Sequence, residues 1–72
     1  MFAVIEIQTS ADGTMAIVPP AVYNTMNDAL SAYYTKMISA TQSSVYQHTI
    51  AIMDNLGSVV KKETVYHNEV AT

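Results

Sequence analysis

The chain has 72 residues, half of them hydrophobic and only 12% charged, with a formal net charge of −3. This length holds one domain, and the lack of cysteine excludes disulfides, thiolate metal sites and cysteine nucleophiles. Three lysines without any arginine form no basic track along which a phosphate backbone could bind, so we expect no nucleic-acid partner.

The composition favours self-association over a solitary monomer. A domain near this size buries only about 60% of its unfolded surface, so its stability is marginal without additional contacts. Disulfides are excluded, and with two histidines a dedicated zinc site would be atypical, which leaves oligomerisation as the remaining source of stability. We therefore predict a homodimer or a subunit of a larger assembly; a monomer covered by uncharged polar side chains is the alternative.

No segment has the properties of a membrane span or a secretory signal. The apolar run at residues 2–5 is too short for a signal core. No stretch approaches the roughly 20 apolar residues of a transmembrane helix. We expect an intracellular protein, or one made inside a cell, without a membrane partner.

The first predicted element is a β-hairpin. Residues 2–9 have the alternating pattern of a strand, and the polar segment 10–13 ends in glycine. That segment suits a type I turn followed by a glycine in the left-handed region. The turn leads into a second strand at residues 15–18, and in this register Ile7 opposes Ile17.

Two prolines are expected to end the second strand. Pro19 and Pro20 cannot donate hydrogen bonds to a ladder, so the pattern predicts that this strand stops at Val18. A short strand closed by proline suits the edge of a sheet, where it discourages further pairing.

One amphipathic helix follows. Its apolar positions recur with helical spacing, Thr25 is a suitable N-cap, and Asp28 favours the positive end of the helix dipole. The polar run at residues 41–44 ends the helix by composition. The apolar stripe consists of Met26, Ala29, Leu30, Tyr33, Tyr34, Met37 and Ile38.

A second hairpin is predicted from strands at residues 45–53 and 58–67. The turn at residues 54–57 repeats the glycine-ended pattern of the first. Lys62 then falls opposite Ile50, so either it extends outward at an edge or the register is off by one. The expected cross-strand pairs are Asp54–Ser58, Ile52–Val60, Ile50–Lys62, His48–Thr64 and Tyr46–Tyr66.

These elements predict an α+β fold of the order ββ-α-ββ. The sheet has four mostly antiparallel strands, and one amphipathic helix covers one of its faces. Residues 1–67 form the single domain, and residues 68–72 are expected to be a loose C-terminal tail.

The chain offers few groups for catalysis. His48 and His67 are the only side chains that titrate near neutrality, and the predicted register places them on opposite sheet faces. Glu63 shares the His67 face but lies about 13 Å away along the strand, so no catalytic triad assembles. The other carboxylates are scattered, and neither glycine turn precedes a helix as a phosphate-binding loop does. We predict no enzymatic activity and no metal, cofactor or small-molecule substrate.

The sheet face away from the helix is the predicted functional surface. One helix covers only one face, and we expect it to contact Ala3, Ile5, Ile7, Ile17, Tyr46, Ile50, Ile52 and Val60. The opposite face would then carry apolar side chains with few charges, and would pack on another copy of the chain or on another protein. The candidate interface residues are Phe2, Val4, Val18, Met53, Val59, Lys61 and Val65.

Several short strings in the chain resemble a known group of proteins. They are Glu6-Ile7-Gln8-Thr9 with Asp12-Gly13-Thr14, the tyrosine-bearing helix, Ser43-Ser44-Val45 with His48, and Gly57 with the later Lys-Glu and Tyr66-His67. With these strings the chain resembles short uncharacterised proteins of anaerobic gut bacteria and their prophages. The resemblance implies a phage or mobile-element accessory protein, in the virion or the host cytoplasm, and it assigns no functional residue.

The expected function is that of a non-enzymatic structural or protein-interaction component. A small inhibitor or antitoxin-like binder of a host protein is the alternative. Self-association through an apolar face favours the first, whereas a monomer that captures a host protein favours the second.

Overall fold

A computed structural model describes residues 1–67 as one open four-stranded sheet with a single helix on one face. The strand order is β2-β1-β3-β4, and every neighbouring pair is antiparallel. The predicted α+β class and the order ββ-α-ββ are confirmed. The predicted tail at residues 68–72 lies outside the described residues. The elements are β1 (Phe2–Thr9), β2 (Met15–Tyr23), α1 (Met26–Thr41), β3 (Gln47–Asp54) and β4 (Val59–Tyr66).

Both hairpin turns use glycine in the left-handed region, as predicted. Gly13 has a φ of 93° and Gly57 a φ of 86°, a conformation that costs other L residues steric strain. Aspartate side chains brace the turns: Asp12 accepts from one backbone N–H, and Asp54 accepts from two. The expected closing pairs are present, since the N–H of Ser10 donates to Thr14 and that of Asp54 to Ser58.

Strand β2 runs to Tyr23, so the predicted end at Val18 is wrong. Its pairing with β1 shifts opposite Ile5, where the prolines at 19 and 20 together face one residue. Proline has no N–H to donate to the ladder. Because the two prolines lie in the bulge, outside the regular ladder, their lack of N–H groups costs no regular hydrogen bond. Strand β2 lies at a sheet edge, as the prolines indicated.

A second bulge corrects the predicted pairing of β3 with β4. Met53 faces Val59, as the turn requires, but the ladder then shifts by one residue and leaves Val60 as the inserted residue. Lys62 therefore pairs with Ala51 and not with Ile50, which removes the conflict in the predicted register. A one-residue shift moves every later side chain to the other face. The observed pairs are Ile52–Lys61, Ile50–Glu63 and His48–Val65.

Helix α1 has the predicted start and end. The Oγ1 of Thr25 accepts from the N–H of Asp28 at 3.1 Å, so Thr25 is the N-cap. The helix ends at Thr41. Two members of the predicted stripe, Tyr34 and Ile38, lie at its exposed margin.

The core lies between α1 and the two central strands. Val4 pairs with Ile52 in the β1–β3 ladder, so both side chains point toward the helix. The prediction that Ile5 and Ile7 contact the helix is therefore wrong. Each face of β1 carries apolar side chains, Phe2 and Val4 on the covered face and Ile5 and Ile7 on the other, so alternation alone does not decide which face the helix covers. The fully buried core residues are Val4, Ala29, Tyr33, Ala40, Ile50 and Ile52.

Candidate functional site

The predicted interface residues do not share one face. Five of them lie on the helix-covered side: Phe2 and Val65 pack against the core, Val4 is part of it, Val18 pairs with the buried Glu6, and Lys61 lies over the Tyr33 ring. Placing these five on the uncovered face is wrong, because the predicted faces of β1, β2 and most of β4 are reversed. Met53 and Val59 do lie on the uncovered face.

The uncovered side of the sheet, hereafter the open face, is formed by the residues that alternate with the helix-covered ones. No element among residues 1–67 packs on it. The face consists of Ala3, Ile5, Ile7 and Thr9 of β1, Met15, Ile17 and Val22 of β2, Gln47, Thr49, Ala51 and Met53 of β3, and Val59, Lys62, Thr64 and Tyr66 of β4.

Large apolar side chains form a continuous group on the open face. Ile17 is 67% exposed and Val22 is 61% exposed. Ile17 pairs with Ile7, Val22 pairs with Ala3, and Ala3 also pairs with Met53, so the group extends across β2, β1 and β3. Single exposed apolar residues are normal on a protein surface, but a contiguous group indicates a binding site.

The polar part of the open face is confined to one corner. The Oγ1 atoms of Thr49 and Thr64 lie 3.2 Å apart, and Gln47 Nε2 is 3.5 Å from Thr49 Oγ1. The face carries one cation, Lys62, and no described carboxylate. The arrangement is that of an apolar region with a polar margin.

A shallow depression lies at one end of the sheet. Its volume of about 180 Å³ is below the 300–1,000 Å³ that is typical of small-molecule pockets. It offers no cluster of polar groups that would orient a substrate. The residues that line it are Met1, Phe2, Ala3, Val22, Asp54 and Asn55.

A buried polar cluster on the helix-covered side was missed by the sequence interpretation. Glu6 is 7% exposed and His48 is 3% exposed, and Glu6 Oε2 lies 2.6 Å from His48 Nδ1. Glu6 also accepts from Gln8 Nε2 at 3.2 Å and from Lys36 Nζ at 3.4 Å. The sequence does contain a signal for this cluster. Glu6 lies two residues after Val4, and His48 lies two residues before Ile50, so each falls on the same strand face as a buried apolar residue. The two meet because β1 pairs with β3, which the sequence did not predict.

The environment of Glu6 favours its ionised form. Burial raises the pKa of this carboxyl, but hydrogen bonds from His48 and Gln8 and the nearby charge of Lys36 outweigh burial, so the pKa is lowered overall. An ionised carboxylate only accepts hydrogen bonds, so His48 Nδ1 carries the proton that it shares with Glu6. The pair therefore joins β1 to β3 as a charge-assisted contact.

His67 lies next to His48, so the prediction of opposite faces is wrong. The two ring centres are 6.1 Å apart and nearly perpendicular, because the bulge in β4 turns His67 to the helix-covered side. His67 Nε2 donates to the carbonyl of Ala40, and its backbone N–H donates to Tyr46 at 2.7 Å. The first contact joins the end of β4 to the last turn of α1, and the second joins it to the residue before β3.

The cluster has the features of a structural contact. Within residues 1–67, no three His, Cys, Asp or Glu side chains are grouped in a way that could hold a metal ion. His48 Nε2 and the Tyr33 hydroxyl are both buried and make no hydrogen bond to the described part of the chain. Because Glu6 and His48 are so deeply buried, a dissolved substrate has no access to them.

The comparisons with known proteins identify no relative. The chain matches no protein-family model, no curated protein and no solved structure. Over the described range, 1–67, no helix has both the length and the apolar character needed to cross a bilayer.

Proposed function

We propose that this chain is a non-enzymatic structural or protein-interaction component of phage or prophage origin that works as an oligomer. The observation that carries the proposal is the open face, where Ile17 and Val22 are more than half exposed within a continuous apolar group. Four strands of about eight residues cover roughly 19 by 26 Å, or about 500 Å². A largely apolar surface of that size is typical of a protein-binding site.

Two features support a binding role over a catalytic one. The carboxylate and imidazole that come together, Glu6 and His48, are enclosed in the core and hold strands together. The depression at the sheet end is smaller than a typical substrate pocket and lacks convergent polar groups. Neither feature provides a place for chemistry on a solute.

The biological setting of the proposal rests on the resemblance to short prophage proteins. It supports a role in the virion or in the host cytoplasm. In either setting, the open face would be covered when the protein is at work.

Affinity capture from the host tests the proposal. The tagged full chain is expressed beside an untagged copy, and bound proteins are identified by mass spectrometry. We expect the wild type to retain a specific protein, either its own untagged copy or a virion protein, and Ile17→Lys to lose it. Ile38→Lys is the matched control, because Ile38 is 61% exposed on the helix, away from the open face.

If the wild type retains no protein above a tag-only control, the proposal is wrong. Retention of a host enzyme without any self-association would favour an inhibitor or antitoxin-like binder.

A further inference from the structure

Resting on the proposed function, we infer that the open face binds the open face of a second copy of this chain. The result is a two-fold symmetric sandwich in which the two sheets lie about 10 Å apart and the helices are on the outside. Four layers in the order helix, sheet, sheet, helix would give each sheet an apolar layer on both faces.

The size of the open face suits a second copy. Two faces of about 500 Å² bury about 1,000 Å² together, which is near the lower limit for a specific interface. An interface at this lower limit predicts a weak, reversible dimer.

Both edges of the sheet hinder pairing with another strand, which leaves the open face as the surface for association. At the β2 edge, the prolines at 19 and 20 lack N–H groups and lie in a bulge. At the β4 edge, a second bulge leaves Val60 out of the regular ladder, beside the charged Lys61 and Lys62. Bulges, proline and lysine are the features that hinder edge-to-edge pairing of sheets. A dimer that extends the sheet through either edge is therefore disfavoured.

The charges of the open face also suit a copy of itself. Lys62 is its only charged side chain among the described residues, and no carboxylate there would need a basic partner. Lys62 belongs to β4, an edge strand, so it lies at the margin when two faces pack together. The hydroxyls of Thr49 and Thr64 already contact each other, which reduces the cost of covering them. Ile5 and Ile7 of the central strand β1 would form the dry centre of the interface, with Ile17 of β2 beside Ile7.

Analytical ultracentrifugation of the full chain over a concentration series tests the inference. We expect the wild-type mass to rise from 7.8 kDa toward twice that value. Ile17→Lys should weaken self-association about ten-fold or more, because the buried ammonium would have no carboxylate to face. Val22→Lys is a second face variant, since its site is 61% exposed and the fold should tolerate it. Ile38→Lys should associate as the wild type does.

Isotope-filtered nuclear Overhauser spectra of a mixture of labelled and unlabelled chains locate the contact. Methyl groups of Ile5, Ile7 and Ile17 should show contacts between chains. Contacts between the backbones of two β4 strands would overturn the inference, and so would face variants that dimerise as tightly as the wild type.

A wild type that stays monomeric at every concentration also overturns the inference. If that monomer still retains a virion protein in the capture experiment, the protein-interaction role in the proposed function stands, and the oligomer and the identity of the partner are wrong. If it retains none, both are wrong.

Discussion

Glu6 is the residue whose surroundings differ most from those of an ordinary surface carboxylate. It lies in the core beside His48 and accepts hydrogen bonds from three side chains. Removing one partner of such a pair leaves the other buried without compensation. The cluster therefore stabilises the fold only while all of its hydrogen-bonding partners are present. Apolar side chains of the same shape in place of the whole cluster could give equal stability.

Glu6→Gln should destabilise the fold by about 2–4 kcal/mol, because the amide cannot keep the charge-assisted bonds to His48 and Lys36. Urea unfolding followed by circular dichroism measures this change. Glu63→Gln is the matched control: Glu63 is exposed on β4, and its change should stay within about 0.5 kcal/mol. Equal effects of the two substitutions would show that the Glu6 contacts contribute nothing specific.

Acidic pH should remove the contribution of Glu6 to the free energy of unfolding. Its pKa is below the ordinary value of 4.5 in the folded chain, so its stabilising effect is fully present above that value. The effect is lost as the pH falls through the folded pKa, where the folded carboxylate takes up its proton. The difference in unfolding free energy between wild type and Glu6→Gln should therefore shrink below pH 4.5. A difference that stays constant from pH 7 to pH 3 would contradict this assignment.

At the scale of elements, the two glycine turns determine where each hairpin reverses. Gly57 has a φ of 86°, and a Cβ there would meet no atom within 4 Å. Gly57→Ala should therefore cost about 1–2 kcal/mol from backbone strain alone, without a clash. Gly57→Asn should cost less, because asparagine tolerates the left-handed region. Thermal unfolding of both variants measures which substitution lowers stability more. If Gly57→Ala were as stable as the wild type, the expected backbone strain at this position would be contradicted.

The elements differ in how far the sequence predicts them. Helix α1 follows from apolar spacing and the Thr25 cap, and the turns follow from glycine, because both depend on neighbouring residues. The bulges at the two prolines of β2 and at Val60 of β4 depend on how two strands fit side by side. Local patterns do not specify that fit, so the predicted β2 end and β4 register were wrong.

The candidate site was predicted as a surface but not as a set of residues. An uncovered apolar sheet face follows from a single helix on four strands. Which face is uncovered depends on the pairing of β1 with β3, a contact between residues 38 to 52 positions apart. The alternation favoured the face with Ile5 and Ile7, because Glu6 and Gln8 share the other face with Phe2 and Val4, and that choice was wrong. The same distant pairing produces the Glu6–His48 contact.

At the scale of the whole molecule, the proposed dimer would link folding to association through the open face. A second copy that binds only the folded chain stabilises it by mass action. In a dimer, the apolar group around Ile17 would be withdrawn from water in the folded state, which adds to a small core in which six of the described residues are fully buried. Stability would then depend on the concentration of the protein itself.

The unfolding midpoint of the wild type should therefore rise with protein concentration. We expect about 3–6 °C for each ten-fold increase in the range where the dimer forms, given the unfolding entropy of a domain this small. Ile17→Lys should show a midpoint that does not change with concentration, while Ile38→Lys should follow the wild type. Scanning calorimetry over a hundred-fold range measures all three. A wild-type midpoint that is constant over that range would mean that the folded chain gains no stability from a second copy.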